Sequence, residues 1–125
     1  MQNKPAASTT KATSQTTNAQ QYIKPAFKIE RVLLYMINHG SINRLEAEKA
    51  PVYDHALNTT MSNEVKQRLG LEFSSTPERA VGYGGIPAIY NRYRLTSASE
   101  RIAKQLINEY RVKRGAVPIS WGDAA

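Results

Sequence analysis

Apolar residues along the chain recur first at helical spacing, then in alternation, then at helical spacing again. Over residues 27–38, Phe27, Ile29, Val32, Leu33, Leu34, Met36 and Ile37 form a wide apolar face and leave Lys28, Glu30 and Arg31 for water, which predicts a buried first helix. Gly40 suits the left-handed position after its end. Ser41 and Asn43 offer side-chain caps for a short second helix over 44–50, with Leu45 and Ala47 inward and Pro51 as its stop. A turn through Val52, Tyr53, Asp54 and His55 follows, Asp54 being placed to cap what comes next. Over 56–71, Leu57, Met61, Val65 and Leu69 recur every fourth residue, the stripe of a third helix ended by Gly70. Leu71 and Phe73 then alternate with Glu72 and Ser74 as in a strand. Pro77, Glu78, Arg79, Gly82, Gly84 and Gly85 mark a loop, and Ile89, Asn91, Tyr93 and Leu95 alternate with Tyr90, Arg92 and Arg94 as a second strand. Ser97 and Glu100 match a capping box for a last helix reaching about residue 114, with Ala98, Ile102, Leu106 and Tyr110 as its stripe.

The third helix has an unusual outer face. Asn58, Thr59, Ser62, Asn63, Lys66 and Gln67 donate and accept hydrogen bonds where a solvated helix ordinarily favours Glu and Lys. Asn and Gln can bond adenine bidentately, Ser and Thr suit either base type, and Lys66 at the far end can reach phosphate. A core helix with an indifferent polar face explains the same pattern. The neighbours favour the first reading: helix, short helix, turn, helix is a helix-turn-helix order, and a hairpin directly after it is a wing. The expected fold is therefore mainly α with a small β-hairpin, a winged helix-turn-helix with an added C-terminal helix. Asn58, Thr59, Ser62 and Asn63 are expected to touch bases, and Arg44, Lys66, Arg79, Arg92 and Arg94 to touch the DNA backbone, with Arg79 at the wing tip. About five phosphate contacts would give a slope near -4 to -5 for log K against log salt.

Charge adds weight to a polyanionic partner. Lys and Arg outnumber Asp and Glu by 17 to 10 in 125 residues, a formal net charge of +7. One domain is expected over 26–114, between a disordered leader over 1–25 and a tail over 115–125. The leader is rich in Gln, Asn, Thr, Ser and Ala and carries Lys4, Lys11 and Lys24 without an acid, as a solubilising segment or a basic arm would. Trp121 in the tail either docks on the domain or waits for a partner. No Cys is present, which removes disulfides and thiolate chemistry, and no apolar run is long enough for a membrane span or a signal peptide. A cytoplasmic location follows as an expectation.

The runs SINRLEAE, YDHALNTTMSNEVKQRLGLEF and NRYRLT resemble a group of small winged helix-turn-helix proteins encoded by phages and prophages. The likeness covers roughly residues 27–96. It implies double-stranded DNA as partner, a regulatory role and a bacterial host cytoplasm, and it is compatible with a homodimer. The glycine-rich wing loop and the C-terminal helix depart from the group's pattern.

Catalysis finds no footing. His39 and His55 lack a Cys or a carboxylate pair with which to hold a metal, Gly82 to Gly85 lacks the Lys-Ser/Thr of a phosphate loop, and Glu46 and Glu48 point to different sides of a short helix. No enzyme activity, cofactor or metal is expected. The competing expectation is a phage-encoded adaptor or inhibitor that binds a host protein, with Tyr53, Tyr83, Tyr90 or Trp121 as anchors.

Overall fold

The computed structural model describes residues 22–122, without the side chain of Tyr83. Most of the leader expected over 1–25 lies outside the described residues. From Tyr22 to Phe27 the chain has no regular secondary structure and is tied to the end of the last helix, where the Lys24 amide donates to the Arg114 carbonyl at 3.0 Å.

Helix α1 spans Lys28–His39, short helix α2 Arg44–Ala47, and α4 Ser97–Lys113. Helix α3 starts as an α-helix over Leu57–Thr59 and continues as a π-helix over Thr60–Arg68. Strands β1, Phe73–Val81, and β2, Pro87–Leu95, form one antiparallel hairpin between α3 and α4. Ile42 exchanges backbone hydrogen bonds with Tyr93 at 3.0 and 2.8 Å, so the segment before α2 lies along the free edge of β2. The described residues are thus four helices and a two-stranded hairpin.

Ile29, Val32, Leu33 and Met36 of α1 meet Leu57, Met61 and Val65 of α3, Tyr93 and Leu95 of β2, and Ala103 and Ile107 of α4 in one core, with Ile42, Ala47, Val52 and Leu71 filling its edges. Each large aliphatic group removed from water contributes about 1.5–3 kcal/mol. Gly40 ends α1 with φ 85°, and its amide donates to the Met36 carbonyl. Asn43 caps α2 by accepting from the Glu46 amide while Glu46 accepts from the Asn43 amide, a complete capping box.

Four expectations change. Helix α2 ends at Ala47, short of residue 50. The repeat of Leu57, Met61 and Val65 is four residues, longer than the 3.6 of an α-turn and shorter than a π-turn. A helix that passes from one winding to the other keeps that stripe over the core. The strands are nine residues each, and Pro77, Glu78 and Arg79 belong to β1. Pro77 is tolerated because a two-stranded ribbon has an outward edge at which a missing N–H costs little. In α4 the cap is Thr96, whose hydroxyl accepts from the Ser99 amide at 3.2 Å, and the buried line is Ser99, Ala103 and Ile107. Ala98 and Ile102 stand outside it. Small residues at 99 and 103 allow α4 to lie close, and the Ser99 hydroxyl accepts from the Glu72 amide at 2.7 Å.

Candidate nucleic-acid interface

Helix α3 presents its buried stripe inward, and Asn58, Thr59, Ser62, Asn63, Lys66 and Gln67 are all exposed. Its start is held by Asp54, fully buried, which accepts from the Ala56 amide at 2.8 Å and lies 3.6 Å from Lys28 Nζ. Asp54 therefore bonds the chain one residue before the helix and does not cap it, because Ala56 holds the cap position.

The outer face has two flanks. Thr59 and Asn63 border an open hollow of about 480 Å³ shared with Phe27, Arg68 and Tyr110. Asn58, Ser62 and Lys66 form the flank next to the hairpin: the Tyr93 hydroxyl donates to Asn58 Oδ1 at 2.5 Å, and Lys66 shares a second hollow with Phe73 and Ser75. Ser62 turns back on its own helix, its hydroxyl donating to the Asn58 carbonyl at 3.1 Å. These bonds narrow what each group can read. With one lone pair of Oδ1 taken by Tyr93 and its amide plane fixed, Asn58 is constrained in the donor-plus-acceptor pair that adenine needs, and Ser62 offers its lone pairs more readily than its proton. Thr59, Asn63 and Lys66 carry no such restriction.

The pairing register sorts the hairpin's arginines. Residues opposite one another share a face, so Ser75, Tyr93, Pro77, Asn91, Arg79 and Ile89 lie on one side and Thr76, Arg92, Ser74, Arg94, Glu78 and Tyr90 on the other. Tyr93 identifies the first as the α3 side. Arg79 is exposed on that side, level with Ile89 and about 13 Å along the ribbon from Tyr93. It sits within the strand and not at the tip. The tip is the turn around Tyr83–Gly85, closed by the Gly82 amide on the Ile86 carbonyl at 3.0 Å, with Gly84 and Gly85 at positive φ.

Arg92, expected on phosphate, is bonded within the protein. Its Nε donates to Glu78 at 2.8 Å, Nη1 to the Ser41 hydroxyl at 2.8 Å and to Glu46 at 3.1 Å, and Nη2 to Glu46 at 3.1 Å. Asn43 completes the cluster by donating to Glu78 at 2.6 Å. The paired carboxylates raise the Arg92 pKa, and the Arg92 and Asn43 donors hold Glu78 below its ordinary value. A guanidinium so paired fastens the hairpin to α2, and its charge is already met by two carboxylates. Arg94, exposed, shares this side, turned away from α3, and among the described residues reaches only the Gly40 carbonyl at 3.4 Å. Arg44 is exposed at the start of α2 and pairs with Glu48 at 3.3 Å, four residues on.

Of the tyrosines, Tyr53 is exposed and holds positive φ, whereas Tyr90 is half-buried against Gly82, where a side chain at 82 would strike its hydroxyl. Trp121 docks: it is partly buried on the core with Lys104 over its ring at 5.5 Å, and Asn108 grips the Ile119 backbone through both amide groups. The Tyr93 hydroxyl and the Ser41, Asn43, Glu46, Glu78 cluster escape sequence reading because a strand pattern gives the side of a residue but not its partner across the fold. No helix among the described residues is long and apolar enough to cross a membrane. No protein-family model, curated protein or solved structure matches the chain.

Proposed function

We propose that this is a winged helix-turn-helix protein that binds double-stranded DNA, with α3 in the major groove and the hairpin along the backbone, in a regulatory role of phage or prophage type. The observation that carries the reading is the continuity of one surface. The exposed polar line of α3 runs into the α3 side of the hairpin, where Arg79 stands free of any carboxylate among the described residues. The succession of α1, α2, α3 and hairpin, with Ile42 lying along β2, supports the fold assignment. Thr59, Asn63 and the remaining groups of Asn58 and Ser62 would meet base edges, while Lys66, Arg79 and Arg44 would meet phosphates.

Thr59, Ser62 and Asn63 changed together to Ala should leave the far-UV spectrum and the melting temperature nearly unchanged. Preference for a selected duplex over random DNA should fall about tenfold or more per lost base contact. Retained preference would overturn the assignment of α3 as the reader. Asn58 is left out of that variant because it also holds Tyr93.

A second reading as a protein-binding adaptor or inhibitor of host machinery draws on one feature. Val81, Ile86 and Ile89 are 63%, 69% and 66% exposed around the end of the hairpin, an apolar tip suited to a protein pocket. Random duplex DNA should bind with Kd of order 10⁻⁴ to 10⁻⁶ M at physiological salt. Absence of binding even at low salt would favour the adaptor.

A further inference from the structure

On the side of α1 away from α3, a cleft of about 230 Å³ opens between α1, the C-terminal end of α4 and Pro51. Arg31, Arg111 and Arg114 line one end, and Tyr35 stacks on His39 at the other with ring centroids 4.1 Å apart. One carboxylate, that of Glu30, lies on the cleft wall and serves two of the three guanidiniums. Glu30, expected in water from its place on α1, is 1% exposed and takes a fork from Arg114 at 2.9 and 2.7 Å. Arg111 lies 3.8 Å from the same carboxylate and otherwise donates to the Val117 carbonyl. Among the described residues Arg31 donates to the Val52 and Ala26 carbonyls alone, at 2.8 and 2.6 Å. Carbonyls satisfy N–H groups without neutralising charge. Three cations against one anion leave two positive charges facing a half-enclosed space, with Asn38 and His39 as further polar groups on its wall.

We propose that this cleft binds a small free dianion of the phosphate class. Guanidinium forks match phosphate oxygens in geometry and charge. The space falls below the roughly 300–1,000 Å³ of drug-sized sites, which suits inorganic phosphate or a short phosphomonoester. Such an anion would bind α1, α4 and the turn before α3 to one another. The site stands whether or not α3 reads DNA.

The test is thermal unfolding of the full chain in inorganic phosphate against chloride at matched ionic strength, with ³¹P line broadening as the second readout. The melting temperature should rise by roughly 7 °C at about ten times Kd. Arg111→Gln should abolish both the rise and the broadening. Asn38→Asp, at an exposed position on the cleft wall, should do the same by adding a carboxylate, and covers the case in which Arg111→Gln fails to fold. A rise that survives both variants, or that chloride reproduces, overturns the site. A shallower DNA salt dependence in Arg111→Gln, with no phosphate response in the parent, would assign the arginines to the DNA backbone and equally overturn it.

Discussion

Arg92 and Arg94 are two residues apart on one side of β2, and their surroundings differ completely. Removing the Arg92 side chain leaves Glu46 and Glu78, each about a third exposed, facing each other without the cation between them, and strips the Ser41 hydroxyl of its donor. Hydrogen bonds to charged groups contribute about 1.5–3 kcal/mol where they are shielded, and less where water reaches them. Arg92→Ala is therefore expected to cost about 2 kcal/mol, which for a domain of this size lowers the melting temperature by roughly 10 °C. Arg94→Ala should stay within about 0.5 kcal/mol of the parent. Chemical denaturation of both variants separates the two cases, and equal losses would contradict the network. Residue type alone does not distinguish this pair.

At the scale of elements, the Arg92 cluster is what sets the hairpin against α2, and it titrates. Glu78 has a folded pKa below its ordinary 4.5 because Arg92 and Asn43 donate to the ionised form. Its contribution is therefore complete above about pH 4.5 and lost as pH falls through the lower folded value. Acid should destabilise the parent more than it destabilises Arg92→Ala, in which the main cause of the depression is gone. Melting temperatures at pH 7 and pH 3 give the comparison, and an identical acid loss in both proteins would remove Glu78 from the coupling. The elements themselves were legible in the sequence where periodicity is local. Helix α1, Asn43 as a cap for α2, the α3 stripe and the two alternating runs declare themselves locally. What periodicity could not supply was the partner of each polar group. Glu30 reads as solvated until Arg114, 84 residues on, covers it, and the α4 stripe reads one position off because Ser99 counts as polar until its hydroxyl meets the Glu72 amide. The candidate site was legible as a helix face, while its restriction by Tyr93 was not.

For the whole molecule, a net charge of +7 overstates the cations available to one DNA surface. Arg92 and Arg114 are enclosed by carboxylates, Arg68 pairs with Glu64 at 2.6 Å, and Arg94 stands on the side of the hairpin away from α3. On the proposed surface Lys66 and Arg79 remain, with Arg44 shared with Glu48 at 3.3 Å, so the described residues supply about two to three phosphate contacts in place of five and a salt slope near -2 to -3 before any part played by Lys4 and Lys11. The absolute slope mixes those contributions, whereas a difference between variants does not. Arg79→Ala should flatten the plot of log K against log salt by about one unit, while Arg94→Ala, equally exposed and equally charged, should leave it unchanged. Matching losses from the two would mean that charge acts without regard to which side of the hairpin carries it, and the assignment of the α3 side as the DNA surface would fall.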